Sequence, residues 1–186
     1  MRRLYRSITF LFVSLALTLG GAPAFADPLP AAGSYEIGFS PGAPGARAID
    51  KVEALIDSAR SQVLVAAYEV TSKRVARALI RADRRSVHVF VIADRDEATQ
   101  AYSLVQSLAD AGITVRLDGA YKDMHSKFMA VDGVHFQTGS FNYSERATNS
   151  NEENVIVFYN VPTMVQPYER EWKRMWDESS PLAPRH

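Results

Sequence analysis

The 186-residue sequence contains no cysteine. No disulfide can therefore hold the fold, and an oxidising compartment neither stabilises nor damages it through thiols. Net charge is also missing, with 21 basic residues against 21 acidic ones. Three of those basic residues, Arg2, Arg3 and Arg6, lie in the first segment, which leaves 18 against 21 in the remainder. A mildly acidic body is not that of a nucleic-acid binder working by bulk positive charge, so any polyanion site must be a local patch. No stretch is low in complexity, and no segment repeats. Zinc-type H-E-x-x-H pairs and magnesium-type carboxylate clusters are absent. So is a long apolar loop or amphipathic basic helix suited to docking on a bilayer.

What is present begins with a leader. Arg2, Arg3 and Arg6 precede an apolar run from Ile8 to Leu19, and Ala24-Phe25-Ala26 follows. This is the layout of a secretory signal peptide over 1–26, cleaved after Ala26, with an uncleaved anchor as the alternative. The residues around the paired arginines fit twin-arginine export poorly, so the general secretory route is expected and the mature protein is periplasmic or secreted, without stable membrane association. A linker and first strand take 27–44, with Tyr35 to Phe39 as the strand and PGAPG ending it. Ala46–Ala59 carries Ile49, Val52, Leu55 and Ile56 at helical spacing, and Gln62–Val70 reads as a buried strand. Ser72 is placed to cap a helix with Val75, Ala76, Leu79 and Ile80 inward. A strand over Val87–Ala93, a helix over Thr99–Ala111 and a strand over Ile113–Leu117 follow. The alternation predicts an α/β fold with crossover connections. A hairpin and a strand over Asn154–Tyr159 add antiparallel members, giving a mixed β-sheet flanked by helices. Pro162 opens a last helix with Val165, Tyr168, Trp172, Met175 and Trp176 at helical spacing.

The chemistry concentrates in HSKFMAVDGVHFQTGSFN, from His125 to Asn142. Asp132-Gly133 favours a mirror-image turn between antiparallel strands. A two-residue loop there sets Val131 against Val134, Lys127 against Thr138 and His125 against Ser140. Alternation then places His125, Lys127, Thr138, Ser140 and Asn142 on one surface, with Phe128, Ala130 and Phe136 on the other. Phosphodiester hydrolysis needs an attacking group, a donor for the leaving oxygen and charge stabilisation at phosphorus. Free imidazole titrates near neutrality and is a competent nucleophile. Lys127 supplies a fixed cation, and Ser140 and Asn142 supply directional donors for phosphate. Together they can do the electrostatic work often given to a metal, so no metal and no cofactor is expected. One histidine cannot both attack phosphorus and protonate the oxygen leaving in line on the far side. A second acid is required.

The pattern H-x-K-x4-D-x6-G-S-x-N, carried by His125, Lys127, Asp132, Gly139, Ser140 and Asn142, resembles the signature of the phospholipase D superfamily. The sequence is also similar to that superfamily's small secreted bacterial nucleases, from SYEIGFSP through SARSQVLVAAYEVTS to NEENVIVF and the tryptophan-bearing last helix. The resemblance implies a phospholipase D/nuclease-like sandwich with the catalytic domain over 45–180. It implies a homodimer that joins two motifs about a two-fold axis. One His125 would form a phosphohistidine while its copy protonates the leaving group and then activates water. Glu153 matches the acidic position after the motif and would fix the tautomer of the nucleophile, with Glu152 as the alternative. Asp132 belongs to the signature, although turn chemistry already accounts for it. The expected activity is an exported endonuclease on DNA, with RNA as a second polymer. A lipid phosphodiesterase and a non-catalytic nucleic-acid-binding module of the same fold are the alternatives. Glu69 departs from these relatives, which commonly have a small hydroxyl residue there, and an added carboxylate beside the cleft would repel a phosphodiester.

Other residues carry plainer expectations. His88 and His135 read as satisfied polar residues on strands, and His186 as a terminal one. Trp172 and Trp176 read as core or dimer contact rather than a base-stacking platform. The run Lys73, Arg74, Arg77, Arg81, Arg84 and Arg85 reads as a solvated helix face, with nucleic-acid phosphates as the alternative partner of part of it.

Overall fold

The computed structural model describes residues 32–185, so the expected signal peptide, the residues just after it and His186 lie outside the described part. The chain forms β1 (Ser34–Ser40), α1 (Ala48–Ser58), β2 (Gln62–Ala67), α2 (Lys73–Arg84), β3 (His88–Asp94), α3 (Arg95–Ala98) and α4 (Val105–Asp110). It continues with β4 (Thr114–Asp118), β5 (Lys127–Val131), β6 (His135–Gly139), α5 (Glu145–Asn149), β7 (Glu153–Tyr159), α6 (Pro162–Glu178) and β8 (Ser180–Pro181). All eight strands join one mixed sheet in the order β1-β7-β6-β5-β2-β3-β4-β8. β2, β3 and β4 are parallel, as their intervening helices require, and the remaining neighbours are antiparallel.

Both faces of the sheet's centre are buried, which explains why β5 has no exposed side. Met129 and Val131 join Ile49, Val52, Leu55, Leu79 and Tyr143 under α1 and α2. Phe128 and Ala130 join Leu64, Ile92, Phe136, Val165 and Met175 under α6. Trp172 lies in that second layer, 5% exposed, and its indole N–H donates to the Val65 carbonyl at 2.9 Å. It stacks on Trp176 at 4.7 Å, so this stripe is core within one chain.

Three local expectations are corrected. The helix expected over Thr99–Ala111 is only Val105–Asp110, and a separate short helix stands before it at Arg95–Ala98, where Asp94 accepts from the Asp96 and Glu97 amides. Leu104 gives its amide to the Val70 carbonyl at 2.9 Å just before α4 begins. Ser72 occupies the N-cap of α2, but its hydroxyl is buried without a partner among the described residues, and Glu145 accepts from the Lys73 amide instead. The basic run on α2 is only partly a solvated face. Arg74 pairs with Asp50 and Glu53 of α1, Arg81 with Glu53 and Asp57, and Arg85 with Asp57 and the last carbonyls of α1.

The hairpin register is the fourth correction. Asp132 and Gly133 adopt the expected positive φ values of 54° and 70°, and the Val134 amide donates to Val131 at 3.1 Å. The Val134 carbonyl, however, accepts from Val161 at 2.8 Å, which sets Val134 aside from the ladder. Val131 therefore pairs with His135, and Phe128 with Thr138. A one-residue slip exchanges faces, so Thr138 shares the side of Phe128 rather than that of Lys127.

Candidate active site

The C-terminal ends of β2, β3 and β4 meet the N-terminal end of β5, the end of β6 and the start of β7 along one edge of the sheet. His125 lies in the loop just before β5, exposed to solvent. Its imidazole packs against the Tyr68 ring, centroids 4.5 Å apart, and makes no hydrogen bond among the described residues. The backbone around it is fixed on every side. Lys127 Nζ donates to the His125 carbonyl at 2.6 Å, the Tyr68 amide to Ser126 at 3.1 Å, and the Met124 amide to Asp94 Oδ2 at 2.9 Å.

Lys127 is 9% exposed, and its ammonium sits 5.1 Å from the Tyr68 ring centroid. Burial pulls its pKa below the ordinary lysine value, and the charge of Glu153 opposes that shift. Ser140 Oγ donates to Glu153 Oε2 at 2.5 Å and accepts from the Asn154 amide at 3.1 Å. Asn151 donates to the other Glu153 oxygen at 2.8 Å. Asn142 Oδ1 is buried without a partner among the described residues. Gly139 makes this convergence possible: at φ +155° a Cβ would stand 2.2 Å from the Asn154 carbonyl oxygen.

A cavity of about 410 Å³ opens here, between His125, Ser126, Lys127, Phe128, Thr138 and Gly139 on the sheet side and Pro167, Tyr168 and Glu171 of α6. Thr138 thus borders the site from the opposite face to the one its spacing suggested. Glu152 lines a separate depression with Phe39, Ser40, Pro41, Glu153 and Asn154.

His125, Lys127, Ser140, Asn142 and Glu153 therefore gather at one sheet edge, but two expected roles differ. Glu153 is engaged by Ser140 and Asn151, and within one chain it does not hold the His125 ring. Asp132 stands at the opposite edge, beyond the five residues of β5. Its carboxylate accepts from the amides of Arg60, Ser61 and Gln62 and from the Ser61 hydroxyl. Burial works against that charge, but the amides prevail and hold the carboxyl below its ordinary range. Its visible task is to tie the β5–β6 turn to the start of β2. Glu69 faces another depression, with Thr71, Tyr102, Glu145 and Arg146, away from the His125 cavity. His135 is a satisfied polar residue, accepting from the Asn160 amide at 3.2 Å.

Sequence reasoning missed Tyr68 and Asp94. Tyr68 stands in the AAYEVTS segment beside Glu69, and its hydroxyl donates to Glu97 at 3.3 Å. Asp94 starts a helix that was not expected there. Its second duty, to a loop thirty residues away, is tertiary.

The arrangement offers an unblocked imidazole, a desolvated ammonium and directional polar groups around a cleft. An imidazole so placed, with an ammonium beside it, is equipped to attack phosphorus. Among the described residues no three histidine or carboxylate groups gather in the manner of metal ligands.

Comparisons with known proteins agree with this geometry. The family model described as cardiolipin synthase, PLD-like domain, matches residues 52–176, which include the whole cluster. The mitochondrial cardiolipin hydrolase of Xenopus laevis is 37% identical over 116 residues, covering 62% of this chain and 55% of that protein. A phospholipase D of Rickettsia bellii is 33% identical over 117 residues, covering 63% of this chain and 58% of that protein. The chain thus spans little more than half the length of these curated relatives. The crystal structure of a phospholipase D family member, Nuc from Salmonella typhimurium, superposes with a TM-score of 0.77 at 30% identity, covering 81% of this chain and 99% of that one. With the six-residue signature, the sheet order and the match across the cluster all in agreement, the chain belongs to the phospholipase D superfamily.

Proposed function

We propose that the protein is an exported phosphodiesterase of the nuclease type, cutting DNA, and RNA by the same bond, in a site shared by two copies of the chain. The observation that carries this reading is the His125 imidazole, free of hydrogen bonds at the mouth of the cavity and backed by Lys127. His125 attacks phosphorus and the bond to the leaving oxygen breaks, while the second copy's imidazolium gives that oxygen its proton. Water then attacks phosphorus as the second imidazole takes its proton, a phosphorus–oxygen bond forms, and the phosphorus–nitrogen bond breaks to release His125. Lys127 stabilises the phosphoryl oxygens throughout, with Ser140 and Asn142 orienting them. The charge of Glu153 opposes the burial that favours the neutral form of Lys127.

The nuclease choice is supported by the match to nearly the full length of Nuc and by the resemblance to small single-motif bacterial nucleases. A lipid substrate is the second reading, favoured by the names of the curated relatives, cardiolipin hydrolase and phospholipase D. One experiment separates them. Plasmid DNA and cardiolipin vesicles are each incubated with the purified protein in excess chelator, beside His125→Ala. The expected result is DNA cleavage that survives the chelator and falls by at least about 10³-fold in the variant. Turnover of cardiolipin alone would move the protein to the lipid reading. Loss of cleavage in chelator would end the metal-free scheme, and turnover of neither substrate would leave a binding module.

A further inference from the structure

Tyr68 is the first residue after β2, one step past the pairing of Ala67 with Lys127, and its amide donates to the Ser126 carbonyl at 3.1 Å. It therefore stands across from the residue between His125 and Lys127, and its half-buried ring meets both. The Tyr68 and His125 ring centroids are 4.5 Å apart at an interplanar angle of 58°, and the Lys127 ammonium lies 5.1 Å from the Tyr68 centroid. An electron-rich ring at such a distance attracts a cation. No hydrogen bond among the described residues sets the rotation of the exposed imidazole, and Tyr68 is the side chain packed against it. The tyrosine is itself braced. Its hydroxyl donates to Glu97 Oε1 at 3.3 Å, and the Tyr102 hydroxyl donates to Glu97 Oε2 at 3.1 Å. Glu97 in turn gives its amide to Asp94 Oδ1 at 2.9 Å, while the other Asp94 oxygen holds Met124 beside His125. One carboxylate thus ties the backbone before His125 to the short helix whose Glu97 steadies the ring against its side chain.

We infer that Tyr68 is a positioning residue for the reaction: its ring sets the rotation of the His125 imidazole and the place of the Lys127 ammonium together, so that the attacking nitrogen and the cation facing the phosphoryl oxygens keep one fixed relation. The inference rests on the proposed roles of His125 and Lys127. Lys127 is already anchored on the His125 carbonyl at 2.6 Å, which ties it to the backbone and leaves the imidazole free to turn. The Tyr68 ring supplies the link between the two side chains. It also suits the course of the reaction, because the imidazole gains positive charge as its nitrogen bonds to phosphorus, and an aromatic neighbour favours a cation there. A hydrogen-bonding partner in the same place could occupy the nitrogen that has to attack; a ring leaves it open.

The test is steady-state hydrolysis of bis(4-nitrophenyl) phosphate by the purified protein and by Tyr68→Phe, Tyr68→Leu and His125→Ala, with folding checked by thermal melting. 4-Nitrophenolate leaves without needing a proton, so this diester reports attack on phosphorus and favours neither nucleic acid nor lipid. Tyr68→Leu should lower kcat about 30-fold with KM within about twofold, and Tyr68→Phe, which keeps the ring and loses the Glu97 anchor, should hold kcat within about threefold. A folded Tyr68→Leu with unchanged kcat, or a Tyr68→Phe that loses as much as Tyr68→Leu, overturns the inference and leaves His125 in its role where His125→Ala is inactive. Hydrolysis undiminished in His125→Ala overturns the role of His125 and the inference with it. The proton resonances of the His125 ring, identified by their absence from His125→Ala, are read in the same samples. The Tyr68 ring current should displace them in the unsubstituted protein and in Tyr68→Phe, and Tyr68→Leu should return them to the positions of free histidine. Free-histidine positions in the unsubstituted protein overturn the inference, whether or not Tyr68→Leu folds.

Discussion

The surroundings of Lys127 act on its charge in two opposed ways. Burial favours its neutral form and Glu153 the charged one, with burial prevailing. If the ammonium must be charged for turnover, the alkaline limb of the rate profile falls at a lower pH than the ordinary lysine value of 10.5. Glu153→Gln removes the opposing charge, so that limb should move to still lower pH; a limb that stays in place or moves upward would detach Glu153 from Lys127. Asp132 makes a different prediction, since it serves the turn and not the cleft. Asp132→Ala leaves three amides and a hydroxyl without their acceptor and should cost about 3 kcal/mol, a fall in melting temperature on the order of 10 °C. Turnover per folded molecule should stay within a few-fold, and a collapse of activity at full stability would restore a catalytic duty. The grouping of His125, Lys127, Ser140 and Asn142 could be read from side-chain type at short, fixed spacing, whereas Glu153 was placed beside them only by the family resemblance. Tyr68 could not be read in either way, because nothing local marks a tyrosine that will meet an imidazole fifty-seven positions later in the chain.

Among elements, the β5–β6 hairpin shows where spacing stops being informative. Asp132-Gly133 announced the turn correctly, yet the ladder slipped by one because Val161, after β7, takes the Val134 carbonyl. The helix expected over Thr99–Ala111 likewise begins only at Val105, after Leu104 has given its amide to the Val70 carbonyl from outside. α3 is the element with most bearing on the site, because the side chain that begins it, Asp94, also holds the loop before His125. Asp94 is 3% exposed; one oxygen serves the amides of Asp96 and Glu97 and the other serves Met124. Asp94→Asn keeps the size but turns one acceptor into a donor, so one of these bonds is lost. Steady-state kinetics should show kcat reduced about tenfold with KM nearly unchanged, as for a misplaced nucleophile. An unaltered kcat would mean that the loop holds its position by other means.

For the whole molecule, layer architecture was readable from the alternation of strands and helices, and the order of eight strands was not, because β1 and β8 are placed by partners far away in the chain. The interlock between α1 and α2 has a consequence for substrate capture. Asp50, Glu53 and Asp57 act as permanent internal counterions for Arg74, Arg81 and Arg85, so those guanidinium groups have no mobile ions to give up when a polyanion arrives. Lys127 is the lysine or arginine that lines the cavity. The logarithm of DNA affinity should therefore fall with the logarithm of salt concentration at a slope on the order of −2 for a two-copy site, far shallower than for a protein that grips by a basic face. A measured slope near −6 would show the interlock opening to the strand. Capture would then depend on ionic strength far more than turnover does, and a dilute or a saline medium would change how much substrate the protein finds.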